Sequence, residues 1–167
     1  TVVAIPRPGH EPHDHTRMIF DFCNAAGLSD EEVQKLTIGP AWHARRLHYA
    51  SVTRDEALGV VLAMQATQEG QQPALNKEIT IPSFIKNYGF AKESKEIAFF
   101  VEHAEADEEH SERQMELCEK YIDTEAVAER ALEICEEACM VRWESITEIY
   151  REHVLKEERL LPSDLVA

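Results

Sequence analysis

Residues 101–112 read VEHAEADEEHSE, and the spacing of three of them decides how the chain is read. His103, Asp107 and His110 stand four and then three residues apart, so on a helix an imidazole, a carboxylate and a second imidazole line up along one face. The stripe continues upstream to Phe99 and Phe100 and downstream to Leu117 and Tyr121, while Glu102, Glu105, Glu108, Glu109 and Glu112 hold the opposite face. Apolar residues on both sides of the triplet, with an acidic face behind it, predict a helix whose His/Asp/His stripe looks into a core. Burying those groups is costly unless each is paired or coordinates a cation. A metal site and a buried His–Asp hydrogen-bond network both satisfy that condition, and three ligand-type residues on one core stripe favour the metal.

Working outward, the rest of the chain also shows helical periodicity. The opening, TVVAIPRPGHEPHDH, contains Pro6, Pro8 and Pro12 and is expected to be an irregular connector over residues 1–15. A helix is expected from Thr16 or Arg17 to Gly27, then a short one capped by Ser29 and running through Leu36. Others are expected from about Ala41 to Ser51, and from a cap at Thr53 or Asp55 to the region before Pro73. A turn at Thr80-Ile81-Pro82 leads to a short helix ended by Tyr88-Gly89. The triplet helix then spans about Glu93 to Tyr121, a last one spans Thr124 to about Lys156, and residues 160–167 form a tail. No strand-like alternation or internal repeat is present, so the predicted class is all-α, in a single domain over 1–167.

The formal net charge of −15 comes from 32 acidic against 17 basic residues, and no basic run exceeds Arg45-Arg46. Nucleic acid and an anionic membrane are therefore poor partners; a small-molecule substrate and a second copy of the chain, as a homodimer, remain. Cys23, Cys118, Cys135 and Cys139 fall in apolar helical patterns without C-x2-C spacing and are expected to be reduced core residues. With no membrane-length apolar stretch and no signal peptide, the expected location is the cytoplasm. His43, His48 and His153 have no companion at ligand spacing and are expected to be structural, and Trp42, Tyr49, Trp143 and Tyr150 to belong to the core.

A second polar intrusion occurs in the helix before Pro73. Its expected core stripe is Leu58, Leu62, Gln65 and Glu69, which brings a carboxylate towards the interior and places Gln65 one turn before it. Either Glu69 frays out into solvent at the helix end, or it supplies the carboxylate that a His/Asp/His set needs to hold iron or manganese.

The segment QATQEGQQPALNKEI (65–79), ahead of VEHAEADEEH, resembles the paired signature of the haem-oxygenase-like di-metal oxidases and oxygenases, which share a helical fold with thiaminase II and the pyrroloquinoline-quinone synthases. The stretch GHEPHDHTRMIFDFCNAAGLSDEEV (9–33) is similar to the family's segment between its early helices and its site, and the resemblance runs from Gly9 to about Tyr150. It implies a haem-oxygenase-like helical bundle with Glu69, His103, Asp107 and His110 as metal ligands, no catalytic residue beyond them, and Gln65 as an outer hydrogen-bonding partner. It also implies Fe(II), one or two ions, with manganese as the other candidate, and O2 as co-substrate for oxidising an amino acid, amine or fatty-acid-type substrate.

Set against the family pattern, the chain is expected to lack the earlier helix that there supplies a further glutamate and histidine. Three explanations stand: the bundle is incomplete at its N-terminus, a single ion sits in a facial triad with open positions, or His10, His13 and His15 make up the deficit. Two other function classes stay open. One is a cofactorless oxidase or hydrolase of the quinone-synthase or thiaminase II type, with His103 or His110 as acid or base. The other is a non-catalytic helical metal-binding protein, although ferritin-like sites need an E-x2-H on each of two helices and only Asp107-x2-His110 approaches that pattern.

Overall fold

The computed structural model describes residues 14–157; the expectations for the first thirteen residues, with His10 and His13, and for the tail lie outside the described residues. Among the described residues every regular element is helical. The order is α1 (His15–Ala25), α2 (Asp30–Lys35), α3 (Pro40–Asp55), α4 (Leu58–Glu69), α5 (Gln72–Leu75), α6 (Ile81–Tyr88), α7 (Ala98–Tyr121) and α8 (Glu125–Ile149). No helix among the described residues is long and apolar enough to cross a membrane.

The local signals act where their chemistry places them. Asp14 accepts from the Arg17 amide and starts α1 at His15, slightly earlier than the prolines suggested. Ser29 and Glu32 form a reciprocal capping box on α2, and Thr124 caps α8. Gly27 and Gly89 both have positive φ, the left-handed conformation that ends a helix most cheaply with glycine.

Three expected boundaries are corrected. Helix α3 runs past Ser51 to Asp55, because Thr53 Oγ1 donates back to the Tyr49 carbonyl and Asp55 accepts from Ser51 and Arg54. Those side chains serve the last turn of α3, and neither caps α4, whose N-cap is Ala57. The turn expected at Thr80-Ile81-Pro82 is a π-helical segment, Asn76–Thr80, that feeds directly into α6, with Pro82 in the first turn where its missing N–H is harmless. At the other end of the chain, α8 stops at Ile149 and is followed by a second π-helical segment, Tyr150–Val154.

The described chain forms two compact units, one built from residues 14–36 and 74–105, the other from 37–73 and 106–157. In the first, Ile81, Ile97 and Ala104 are buried, and Phe22, Phe84, Phe90, Phe100 and Val101 pack on them. The rings of Phe22, Phe84 and Phe100 lie 4.9 to 5.0 Å apart at their centroids, each pair tilted or edge-on. Such pairs add about 0.5–1.5 kcal/mol each beyond the area they bury.

The second unit centres on Val52, Val60, Met64, Ala131, Ile134 and Ala138, from α3, α4 and α8. Ala131 and Ala138 let α8 approach closely, and Arg130 clamps α8 to the α3–α4 corner by directing two nitrogens at Glu56 Oε1. Gly39 offers no side-chain cap to α3, so the free Ala41 amide is met by Glu148 from α8.

Helix α4 corrects the expected core stripe. Val60, Met64 and Gln68 are buried and Leu58 is 52% exposed, because the stripe meeting α8 is turned from the one read in the sequence. Leu62, Gln65 and Glu69 are half-buried on a second face. Trp143 and Tyr150, expected in the core, are 72% and 52% exposed. The cysteines are all free; Cys118 is buried, Cys23 and Cys135 half-buried, and Cys139 exposed rather than core.

Candidate metal centre

The second half of α7 runs antiparallel to α4. At one end a Cβ on Gly59 would lie 2.6 Å from the Tyr121 carbonyl oxygen, and at the other Gly70 faces Ser111. This pairing carries the last residue of α4, Glu69, to the turn of α7 that holds Asp107 and His110. One ligand atom each from Glu69, Asp107 and His110 lies within 4.8 Å of the others, the only such group of three among the described residues.

Burial differs sharply within the group. Asp107 is 4% exposed, whereas the His110 side chain is 45% exposed. The stripe was expected to face a core throughout; it does so at Asp107 and opens to solvent one turn later. His110 Nδ1 stands 3.7 Å from Asp107 Oδ1, near enough to attract when protonated and too far to hydrogen-bond.

Glu69 does not fray into solvent. It is half-buried and its Oε2 accepts a 2.8 Å bond from Gln114 Nε2, which fixes the carboxylate in place. Gln114 is the residue that sequence reasoning missed, although it extends the 103–107–110 stripe by one more step of four. The outer partner expected on α4, Gln65, is half-buried one turn before Glu69. The Gln114 carbonyl oxygen, Oε1, is buried without a hydrogen-bond partner.

His103 is not one of the three clustered residues. Its Nδ1 lies 2.7 Å from the Phe99 carbonyl oxygen, and its ring stacks on Phe99 and meets His15 edge-on at 4.8 Å. Since a carbonyl only accepts, Nδ1 is the donor in that bond and Nε2 is the nitrogen left to meet another partner. Of the three histidines expected to be structural, His43 and His153 are exposed, and His48 is half-buried 3.8 Å from Glu137.

Two carboxylates and an imidazole gathered in one place form a hard, oxygen-rich donor set of the kind that suits Fe(II) or Mn(II). Two ionised carboxylates within 4.8 Å repel by about 3.5 kcal/mol or more at an effective dielectric of 20, and a divalent cation between them reverses the sign. The donors therefore fit a metal ion.

Over residues 8–143 the sequence matches the family of iron-containing redox enzymes. The chain belongs to this haem-oxygenase-like family. No curated protein matches it. For an iron-containing redox enzyme the donor set is informative, because the matched region includes all three clustered residues and both helices that carry them. The all-helical architecture is that of the family.

Proposed function

We propose that this chain is an O2-dependent non-haem iron oxidase or oxygenase acting on a small amino acid, amine or fatty-acid-type substrate. The observation that carries the reading is the convergence of Glu69, Asp107 and His110 from two helices within 4.8 Å. These three would hold the iron, with His103, one turn before Asp107 on the same helix, as the fourth ligand of the family pattern. Three or four protein donors suffice for one ion and leave coordination positions open. The bound iron supplies the capacity to reduce O2, which no side chain of the donor set has.

The residues divide the remaining work. Asp107 supplies a dry, fixed charge, and Gln114 holds the Glu69 carboxylate by one oxygen, leaving the other free to ligate. The exposed edge of His110 leaves one side of the centre accessible to a small substrate.

The test is iron content after anaerobic loading with Fe(II), followed by O2 uptake. Close to one equivalent or more per chain is expected, abolished in His110→Ala and kept in His153→Ala. Fewer than about 0.3 equivalents with no O2 uptake would refute the metalloenzyme reading.

A further inference from the structure

The face of α4 turned towards α8 carries a second concentration of chemistry that the iron centre does not use. Arg142 of α8 is half-buried, and its donors go to neutral acceptors: Nη1 to the Gln68 carbonyl and Oε1, at 3.0 and 3.3 Å, and Nη2 to Gln72 Oε1. Burial pulls its guanidinium below the ordinary arginine range, and Arg45 pushes in the same direction. Arg45, on α3, lies over the rings of Trp42 and Tyr49, 4.9 and 5.4 Å from their centroids. Beneath it, Trp42 Nε1 and the Tyr49 hydroxyl are both buried without a hydrogen-bond partner. Arg45 stands close enough to Tyr49 to favour a phenolate, though not in hydrogen-bonding geometry, and burial is the larger influence, holding the phenol above its usual range.

In a chain of net charge −15 this is an unusual place to leave positive charge. The other half-buried arginine among the described residues, Arg130, is bonded to Glu56 and Glu133, and exposed Arg17, Arg54 and Arg151 also meet carboxylates. Arg45 and Arg142 stand at the same level of the antiparallel α3–α8 pair, between the Ala41–Glu148 and His48–Glu137 contacts, and neither has a carboxylate partner among the described residues. Two positive groups without a carboxylate partner thus stand beside two polar groups, Trp42 Nε1 and the Tyr49 hydroxyl, that also lack a partner. A ligand that is all acceptor and negatively charged corrects both at once, and the planar guanidinium fits carboxylate and phosphate oxygens in pairs.

We propose that Arg45 and Arg142 form a binding site for an oxyanion, the carboxylate or phosphate group of a small ligand, on the α3–α4–α8 face. Arg142 also holds the backbone of Gln68, the residue before Glu69, so the site lies against the same final turn of α4 that presents Glu69 to the iron centre. The proposal does not depend on iron binding.

The test uses the full chain with Trp143→Phe, which leaves Trp42 under Arg45 as the sole tryptophan reporter. Sodium phosphate and sodium propionate are titrated separately at ionic strength held constant with sodium chloride. A saturable change in Trp42 emission with phosphate alone identifies a phosphorylated ligand, with propionate alone a carboxylate, and with both a general oxyanion site; each outcome supports the proposal. Arg45→Gln and Arg142→Gln should each weaken the response at least about tenfold, as expected for losing a charge-assisted bond. Arg151→Gln, at an exposed arginine of α8's C-terminal extension, should leave it unchanged, and a response that persists after iron is chelated separates this site from an anion bound at the iron. Arg142→Gln also removes a helix contact, so Arg45→Gln, which breaks no hydrogen bond to the fold, is the decisive variant. No saturable change with either salt, or a response unaltered by Arg45→Gln, overturns the proposal.

Discussion

Asp107 and His110 differ by three positions and one turn, yet one is sealed and the other half open. The spacing of donors on α7 was legible in the sequence because it follows from helix geometry alone, whereas burial depends on what α4 lays across the stripe. Gln114 shows the same limit: its place on the stripe is visible in the numbering, but its bond to Glu69 needs the antiparallel pairing of two helices. Gln114→Leu should keep the fold and weaken iron binding about 10–100-fold, measured by competition with a chelator. Unchanged affinity would mean that Gln114 only fills space. Asp107→Asn removes one of the two carboxylate donors, so iron content after loading should fall well below that of the parent, read by elemental analysis.

Among the helices, α4 departs furthest from its sequence reading. It is apolar on more than one face, so periodicity could not tell which stripe meets α8 and which meets α7. Gly59 is where the difference becomes energetic. Alanine ordinarily stabilises an exposed helix position by roughly 0.5–1 kcal/mol relative to glycine. Here a Cβ would lie 2.6 Å from the Tyr121 carbonyl oxygen, so Gly59→Ala should instead cost about 1–3 kcal/mol, seen as a lower midpoint in denaturant. The α1–α2 corner gives a pH signature. Arg17 and Asn24 hold the Asp30 carboxyl below its usual range, and the Ser29 amide and hydroxyl do the same for Glu32. A depressed carboxyl contributes stability above the unfolded value near 4, and that contribution is lost as pH falls through the lower folded value. Amide exchange in residues 15–35 should therefore accelerate below about pH 4, and Asp30→Asn should flatten the part due to Asp30.

Across the whole molecule, Glu69, Asp107 and His110 all belong to the unit built from 37–73 and 106–157. Iron at about 100 times its dissociation constant should stabilise that unit by roughly 2.7 kcal/mol. Amide exchange in α4, α8 and residues 106–121 should slow on loading, and His110→Ala should remove the effect; equal exchange with and without iron would argue against a centre there. The helical class, most helix ends and the donor spacing could be read from the chain because they rest on short-range physics: side-chain periodicity, caps, and glycine at left-handed positions. Long-range packing set the rest. It chose the face of α4 that meets α8, drew Glu69 to Asp107 and His110, gave Glu148 to the start of α3, and set Arg45 level with Arg142 on the α3–α8 pair. Each of those contacts joins residues far apart in sequence, and their positions in the chain carry no record of the approach.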